Sequence, residues 1–295
     1  MSAQARAGAL LGPDSILCRR VSDPRAAAGG AGFALALQAA HPVVAAGTRD
    51  FSTFDADPWG RFFRTVDYVM LLGYGDRASV DELARRLREA HRAIRGVDGR
   101  GRRYSALDPA AYAWVHASIA LAMIRGHQLM GTTLDADERE EFWSQWLELG
   151  DVLGVRRAEL PATWREFDGY LTVMVDEVLE DNDVVQSLRA RARFAVGGSP
   201  ARWLPASLWG AAGVPLGRVL YFLGVGMLPP VLRGRFDFPW TPVHEAAFRA
   251  YCRASKASTP VLPRALRQAG PVVLRLRRRE PGPFGVVNAD ARAAG

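Results

Sequence analysis

His91 lies one turn beyond Leu87 in a segment whose apolar positions, Leu83, Leu87, Ala90 and Ile94, recur at helical spacing among Arg85, Arg86, Arg88, Glu89 and Arg92. That stripe aims one imidazole at the interior. Two chemistries are open to it there: a core histidine satisfied by a backbone carbonyl, or a single neutral imidazole bound to a haem iron in an apolar slot. Upstream, Arg64, Thr65 and Tyr68 follow Arg61 at offsets of three, four and seven, so two guanidiniums and two hydroxyls share one side of a helix, with Phe62, Phe63, Val66 and Val69 packing on the other flank. Arginine pairs in such a setting are solvated or ion-paired. Equally, they can hold the two carboxylates of a haem, because a guanidinium grips a carboxylate through parallel hydrogen bonds.

His41, three residues after Gln38 and directly before Pro42, is the candidate for the far side of such a site. It either donates a hydrogen bond to bound oxygen or peroxide, or caps its helix through a backbone contact. The other histidines offer less. His116 and His127 are separated by eleven residues, about 16 Å along an unbroken helix, too far to chelate one metal ion. His244-Glu245 lacks the second histidine of HExxH, and no Glu-x-x-His pair of the di-iron bundle type occurs. Non-haem metal chemistry therefore lacks ligands.

The elements that must position these residues announce themselves by their caps. Asp57-Pro58, Asp108-Pro109 and Thr241-Pro242 place a capping side chain before a proline at the first helical position. Ser79 with Glu82, Asp135 with Glu138 and Thr163 with Glu166 read as capping boxes, and Gly73, Gly96, Gly126 and Gly154 as helix ends. These signals predict helices near 58–72, 80–95, 109–125, 136–153 and 163–180; hydrophobic periodicity adds 29–40, 184–195, 206–224 and 242–254. Strand signals are nearly absent, and Asp98-Gly99 reads as part of a basic loop. The expected fold is all-α, a single large helical domain over 13–265 with poorly ordered tails over 1–12 and 270–295, the stretch from Gly197 to Pro205 separating the core from a C-terminal cover.

Composition narrows the function classes. Of the 295 residues 49% are hydrophobic, enough for a large core. The net charge of +7 comes from 38 basic against 31 acidic residues, Lys256 being the one lysine. The densest basic tract, Arg275, Arg277, Arg278 and Arg279, has no interleaved aromatics or recognition motif, so it reads as a solvated or weakly membrane-attracted tail and no nucleic-acid partner is expected. Cys18 and Cys252 lie in no CxxC spacing, which points to a reducing compartment, and Met1 to Gly12 lacks the pattern of a secretory signal; a cytoplasmic location is expected. The most apolar stretch, Leu208 to Leu232, is interrupted by Pro215 and Arg218 and closed by Pro229 and Pro230. A spanning helix needs about 20 uninterrupted apolar residues, so a buried helical pair is expected and any membrane contact is peripheral.

The joint pattern resembles a known family. Arg61-x-x-Arg64-Thr65, with His91 following 26 residues after the threonine, is similar to the Arg-x-x-Lys-Thr and downstream histidine of the haem-dependent oxygenase family that includes latex clearing protein (rubber oxygenase) and the fungal oxygenase MpaB. The text from Leu37 to Ala45, His91-x-x-Ile94-x-Gly96, Tyr104 to Pro109, Trp114-Val115-His116, and Leu153-Gly154-Val155 with Leu160 to Trp164 resembles its uncharacterised bacterial branch. The resemblance implies globin-like helix packing around a haem b, with His91 as proximal iron ligand and Arg61 and Thr65 near the haem edge; Tyr68, on the same helix face, is the further cofactor-binding candidate. It implies an oxygenase that activates O₂ or a peroxide to oxidise an apolar small molecule, with Arg64 and His41 as catalytic candidates and Trp114, Trp143 and Trp164 as pocket walls. A non-catalytic haem protein, a sensor or carrier, would share the same ligand. Two departures matter: Arg64 replaces a lysine able to ligate iron, and no glutamate occurs between Gln38 and Gly47 where polyisoprene cleavage would want a base, so rubber cleavage is not expected.

Overall fold

The computed structural model describes residues 10–12, 14–51, 58–190, 206–263, 267, 268 and 270; for 58–63 and 206–210 it describes the backbone only. Among the described residues the chain is helical apart from one short hairpin. In order come α1 (Ile16–Arg20), α2 (Pro24–Ala39), α3 (Pro42–Phe51), α4 (Pro58–Tyr74), α5 (Arg77–Arg92), the antiparallel strands β1 (Arg95–Val97) and β2 (Arg103–Ser105), α6 (Pro109–Leu129) and α7 (Ala136–Leu153). Beyond two single 3₁₀ turns, α8 (Phe167–Val173) widens into a π turn over Met174–Val178. Then follow α9 (Asp183–Ala190), α10 (Ala206–Met227), α11 (Pro230–Arg235) and α12 (Pro242–Ala257).

α2 is the central helix, packed along α6 on one side and α10 on the other. Its residues are small, and at two crossings backbones touch. A β-carbon on Gly126 of α6 would lie 2.3 Å from the Ala26 carbonyl oxygen, and one on Gly224 of α10 would lie 2.9 Å from the Gly32 Cα. Only glycine allows helices so close. Large side chains then fill the wider gaps: Phe33, Trp114, Phe142, Trp143, Trp146 and Phe167 are fully buried.

The caps explain most boundaries. Asp108 receives the Ala111 N–H ahead of α6, Asp135 and Glu138 form a reciprocal capping box at α7, and Thr241 caps α12 with His244 completing the exchange. Gly154, at φ +84°, ends α7 in the left-handed conformation while the Val155 N–H reaches back to the Gly150 carbonyl. Other signals mislead. α5 starts at Arg77 from Asp76, which receives the Ser79 N–H, and Glu82 pairs with Arg85 and Arg86 instead of closing a box. Thr163 opens a 3₁₀ turn with no side-chain cap. Gly126 lies inside α6 and Gly96 inside β1, so neither ends a helix. Asp57, the Gly197 to Pro205 segment, residues 1–9 and nearly all of 270–295 lie outside the described residues.

No single helix among the described residues is long and apolar enough to cross a membrane. The expectation of a buried pair over Leu208 to Leu232 holds for one side only. Gly213, Gly217 and Gly224 of α10 face inward, while Ala211, Ala212, Pro215, Leu216, Arg218 and Val219 are exposed.

Candidate functional site

The last turn of α5 carries His91. α5 packs on α7 and α4, burying Val80, Leu83 and Ala84 and half-burying Leu87, His91 and Ile94; Ala90 is exposed, so the inward stripe passes it by. The His91 Nδ1–H donates to the Leu87 carbonyl oxygen at 2.7 Å. A carbonyl only accepts, so Nδ1 carries the proton in that bond, and the ring is oriented in the way a backbone carbonyl orients a metal-ligating histidine. Tyr112 of α6 meets the imidazole edge-on, centroids 5.7 Å apart at 82°, and its hydroxyl approaches the Leu153 carbonyl of α7. The ring is thus set by three helices. Tyr112 escapes sequence reasoning because it lies 21 residues downstream on another helix, where no spacing rule relates it to His91.

α4, packed against α5, brings up the basic and hydroxyl set. Arg64 and Tyr68, one turn apart, are both half-buried, and Val66 and Val69 join the core flank. Burial pushes the Tyr68 hydroxyl up to about 12, the Arg64 guanidinium opposing the shift, so the phenol stays a neutral donor at physiological pH. Thr65 is exposed. The side chain of Arg61 lies outside the described residues, as do Phe62 and Phe63; the α4 backbone puts Arg61 one turn before Arg64.

His41 is buried at the junction of α2 and α3, and its carbonyl accepts the Ala45 N–H, which gives it the backbone role of a helix cap. Its Nδ1 is buried with no hydrogen-bond partner among the described residues. Burial lowers its pKa to about 4, against the pull of Asp108 and Glu180, so at neutral pH it is an uncharged imidazole. α3 also passes the end of α5: a β-carbon on Gly47 would lie 3.1 Å from Ile94 Cγ2. Gln38 is engaged elsewhere, donating to Ser118 Oγ at 3.0 Å.

His116 and His127 are structural. The His116 ring stacks on Trp146 at 4.8 Å, its Nε2–H donates to the Trp146 carbonyl, and the Trp146 indole N–H returns a bond to the His116 carbonyl. His127 donates from Nε2 to the Arg20 carbonyl. Burial lowers the pKa of both, His116 to about 4. The folded values of His41, His116 and His127 therefore lie below their ordinary value of about 6.5, so the stability they confer is complete above that pH and is lost as pH falls toward about 4. For His41 and His116 the loss is of order 3 kcal/mol each. Asp98, Asp151 and Asp183 are held below the usual carboxylate range by hydrogen bonds from Arg102, Arg157 and Arg49, and act only at lower pH. We expect urea midpoints to drop steeply between neutral pH and about pH 4, with His116→Gln flattening that slope; a pH-independent midpoint would contradict the burial of these rings.

Trp114, Trp143 and Trp164 form part of a core ladder. Trp114 donates to the Leu37 carbonyl and Trp143 to the Pro161 carbonyl, while Trp164 stacks on Phe167 and Tyr170 faces Trp114 at 6.0 Å. A separate cleft of about 420 Å³ runs between α3, the hairpin and α9, lined by residues including Arg49, Arg102, Asp98, Glu180 and Asp183. Those charges pair with one another, which suits water or polar ligands and not an apolar macrocycle.

Among the described residues no three His, Cys, Asp or Glu side chains cluster as a metal site. A haem iron needs only one protein ligand, and the chemistry of the residues present fits the group: an imidazole on α5 oriented by a backbone carbonyl, with a guanidinium and a phenol, Arg64 and Tyr68, on the adjoining α4.

The described residues form an all-α protein in which α4, carrying Arg64, Thr65 and Tyr68, packs against α5, which carries His91. The family model described as the ER-bound oxygenase mpaB/B′ and rubber oxygenase catalytic domain matches residues 18–257, and the chain belongs to that family of oxygenase domains. No curated protein and no solved structure matches it.

Proposed function

We propose that this oxygenase domain works with haem b, held through Nε2 of His91, and oxidises an apolar small molecule with O₂ or a peroxide. The observation that carries the reading is the family match over residues 18–257, supported by the Nδ1–H bond to the Leu87 carbonyl that orients the His91 ring on α5 beside the basic helix α4. Haem b, when bound, supplies the redox chemistry that activates oxygen. The chain's own residues supply the rest. Arg61 would offer its guanidinium to the propionate carboxylates, Thr65 and Tyr68 would offer hydroxyls, and Tyr112 braces the His91 ring. His41, neutral and buried with Nδ1 unsatisfied, offers one hydrogen bond to a bound small molecule without bringing a charge into an apolar site. The indole N–H groups of Trp114 and Trp143 are spent on carbonyls, so their rings present apolar faces only.

Titrating the purified protein with hemin tests this directly. A saturable, one-to-one Soret band is expected; no band would overturn the reading. Arg64 stands where the resembling family has a lysine able to ligate iron. Its guanidinium stays protonated and does not ligate, whereas a lysine amine can lose its proton and do so. Arg64→Lys is therefore expected to convert the spectrum to a six-coordinate, low-spin form, and an unchanged spin state would place residue 64 away from the iron.

A further inference from the structure

The outer side of the C-terminal helices is apolar where a solvated face should be polar. Leu216 and Val219 stand one turn apart on α10, 43% and 49% exposed, and Val243 at the start of α12 is 75% exposed. The two helices are joined across this surface by Phe222, which stacks on Trp240 at 5.3 Å and meets the His244 ring at 6.2 Å. α12 continues the patch with exposed Ala246, Ala247, Ala250 and Tyr251, and beside them Arg249, Arg253 and Lys256 are exposed at helical spacing.

The positive charge of the sequence is gathered in the same C-terminal part. Residues 1–205 carry 25 basic and 27 acidic side chains, whereas residues 206–295 carry 13 basic and 4 acidic, so the whole positive excess arises beyond residue 205. The two acids within 206–263 face cations already: Glu245 pairs with Arg233 at 3.0 Å and Arg249 at 2.8 Å, and Asp237 lies 3.8 Å from Arg189. Arg218, Arg253 and Lys256 remain on the exposed side. Aliphatic side chains and a half-buried tryptophan ringed by cations, on helices lying flat on the body of the protein, match the interfacial zone of an anionic bilayer. A second copy of the chain would bring the same excess of cations against itself.

From this we infer that the α10–α12 face is a peripheral docking surface for an anionic lipid bilayer, seated by Leu216, Val219 and Val243 and held by Arg218, Arg253 and Lys256. The inference stands apart from the haem reading, since docking is measured with neither haem nor substrate.

Flotation of the full chain with vesicles tests it. Binding is expected with phosphatidylcholine containing phosphatidylglycerol, to fall as salt is raised, and to be much weaker with phosphatidylcholine alone. One cation near the surface contributes about fivefold to the partition, so Arg253→Gln with Lys256→Gln should cost roughly tenfold or more. Leu216→Gln with Val219→Gln and Val243→Gln should cost at least as much while leaving the helical circular dichroism and thermal midpoint unchanged, because all three positions are exposed. Three results would overturn the proposal. One is no flotation with anionic vesicles at low salt. Another is loss of binding in the full chain carrying Arg275→Gln, Arg277→Gln, Arg278→Gln and Arg279→Gln while both α10–α12 variants bind like wild type. The third is a dimer in solution that the apolar variant disperses without any lipid binding.

Discussion

His91→Ala is expected to drop haem affinity by more than a hundredfold, since second-shell partners of a metal ligand are already worth about ten- to a hundredfold and the ligand itself is worth more. His91→Gly with added imidazole should restore the Soret band, because the cavity left by the ring lies between Tyr112, Leu87 and the end of α5 and can admit free imidazole. Stability should hardly move. The ring is half-buried, and loss of its hydrogen bond to the Leu87 carbonyl costs about 1 kcal/mol. The combination separates a ligand from a core histidine: a structural residue would cost stability and leave the spectrum alone. A mutant that retains full haem load and an unaltered spectrum would sink the assignment.

Why this residue could not be settled by periodicity alone is instructive. The stripe through Leu83 and Leu87 shows that His91 turns inward, and a satisfied core histidine and a ligand both turn inward. The structure supplies a carbonyl that would satisfy a core histidine, the Leu87 oxygen four residues back on the same helix, and the Nδ1–H bond to it is compatible with both readings. The partner that completes the setting, Tyr112, arrives through the packing of α6 against α7 and leaves no trace in local spacing.

The same division runs through the fold. Side-chain caps are local events, so Asp108, Asp135 and Thr241 could be read directly, and Asp23-Pro24 carries the same signal at the true start of α2, five residues before periodicity alone would begin it. α3 went unforeseen because its start is His41-Pro42, where the cap is a backbone carbonyl rather than an Asp or Ser side chain. The hairpin of β1 and β2 has no alternation to display: Asp98 builds its loop by accepting the N–H groups of Arg100 and Arg102, and Tyr104 is held by Asp50 of α3. Glycines were the most ambiguous letters. Gly154 ends a helix by its dihedral angles, while Gly126 serves a neighbour's backbone, and only the neighbour distinguishes them.

Gly126→Ala turns that distinction into a measurement in which two effects oppose each other. In an isolated helix the change should stabilise by about 1 kcal/mol, because alanine loses less backbone freedom than glycine. Here the added carbon would lie 2.3 Å from the Ala26 oxygen, 2.9 Å from its carbonyl carbon and 3.0 Å from its Cα. Backbone cannot swing aside as a side-chain end can, so α2 and α6 must separate along the crossing that seats the core. Overpacking of this kind costs about 1–3 kcal/mol and more when backbone has to move, which outweighs the helix gain. A net loss of about 2 kcal/mol is expected, seen as a fall of roughly 5 °C in the melting midpoint for a domain of this size. Gly99→Ala, where nothing lies within 4 Å of the added carbon, should stay within about 0.5 kcal/mol of wild type. The size of the Gly126 effect also reaches the site. Tyr112, which meets the His91 ring, rides on α6, so a shifted crossing should broaden or move the spectrum of the hemin complex even where the protein remains folded, whereas unchanged stability would show that α2 does not sit against α6 at Ala26.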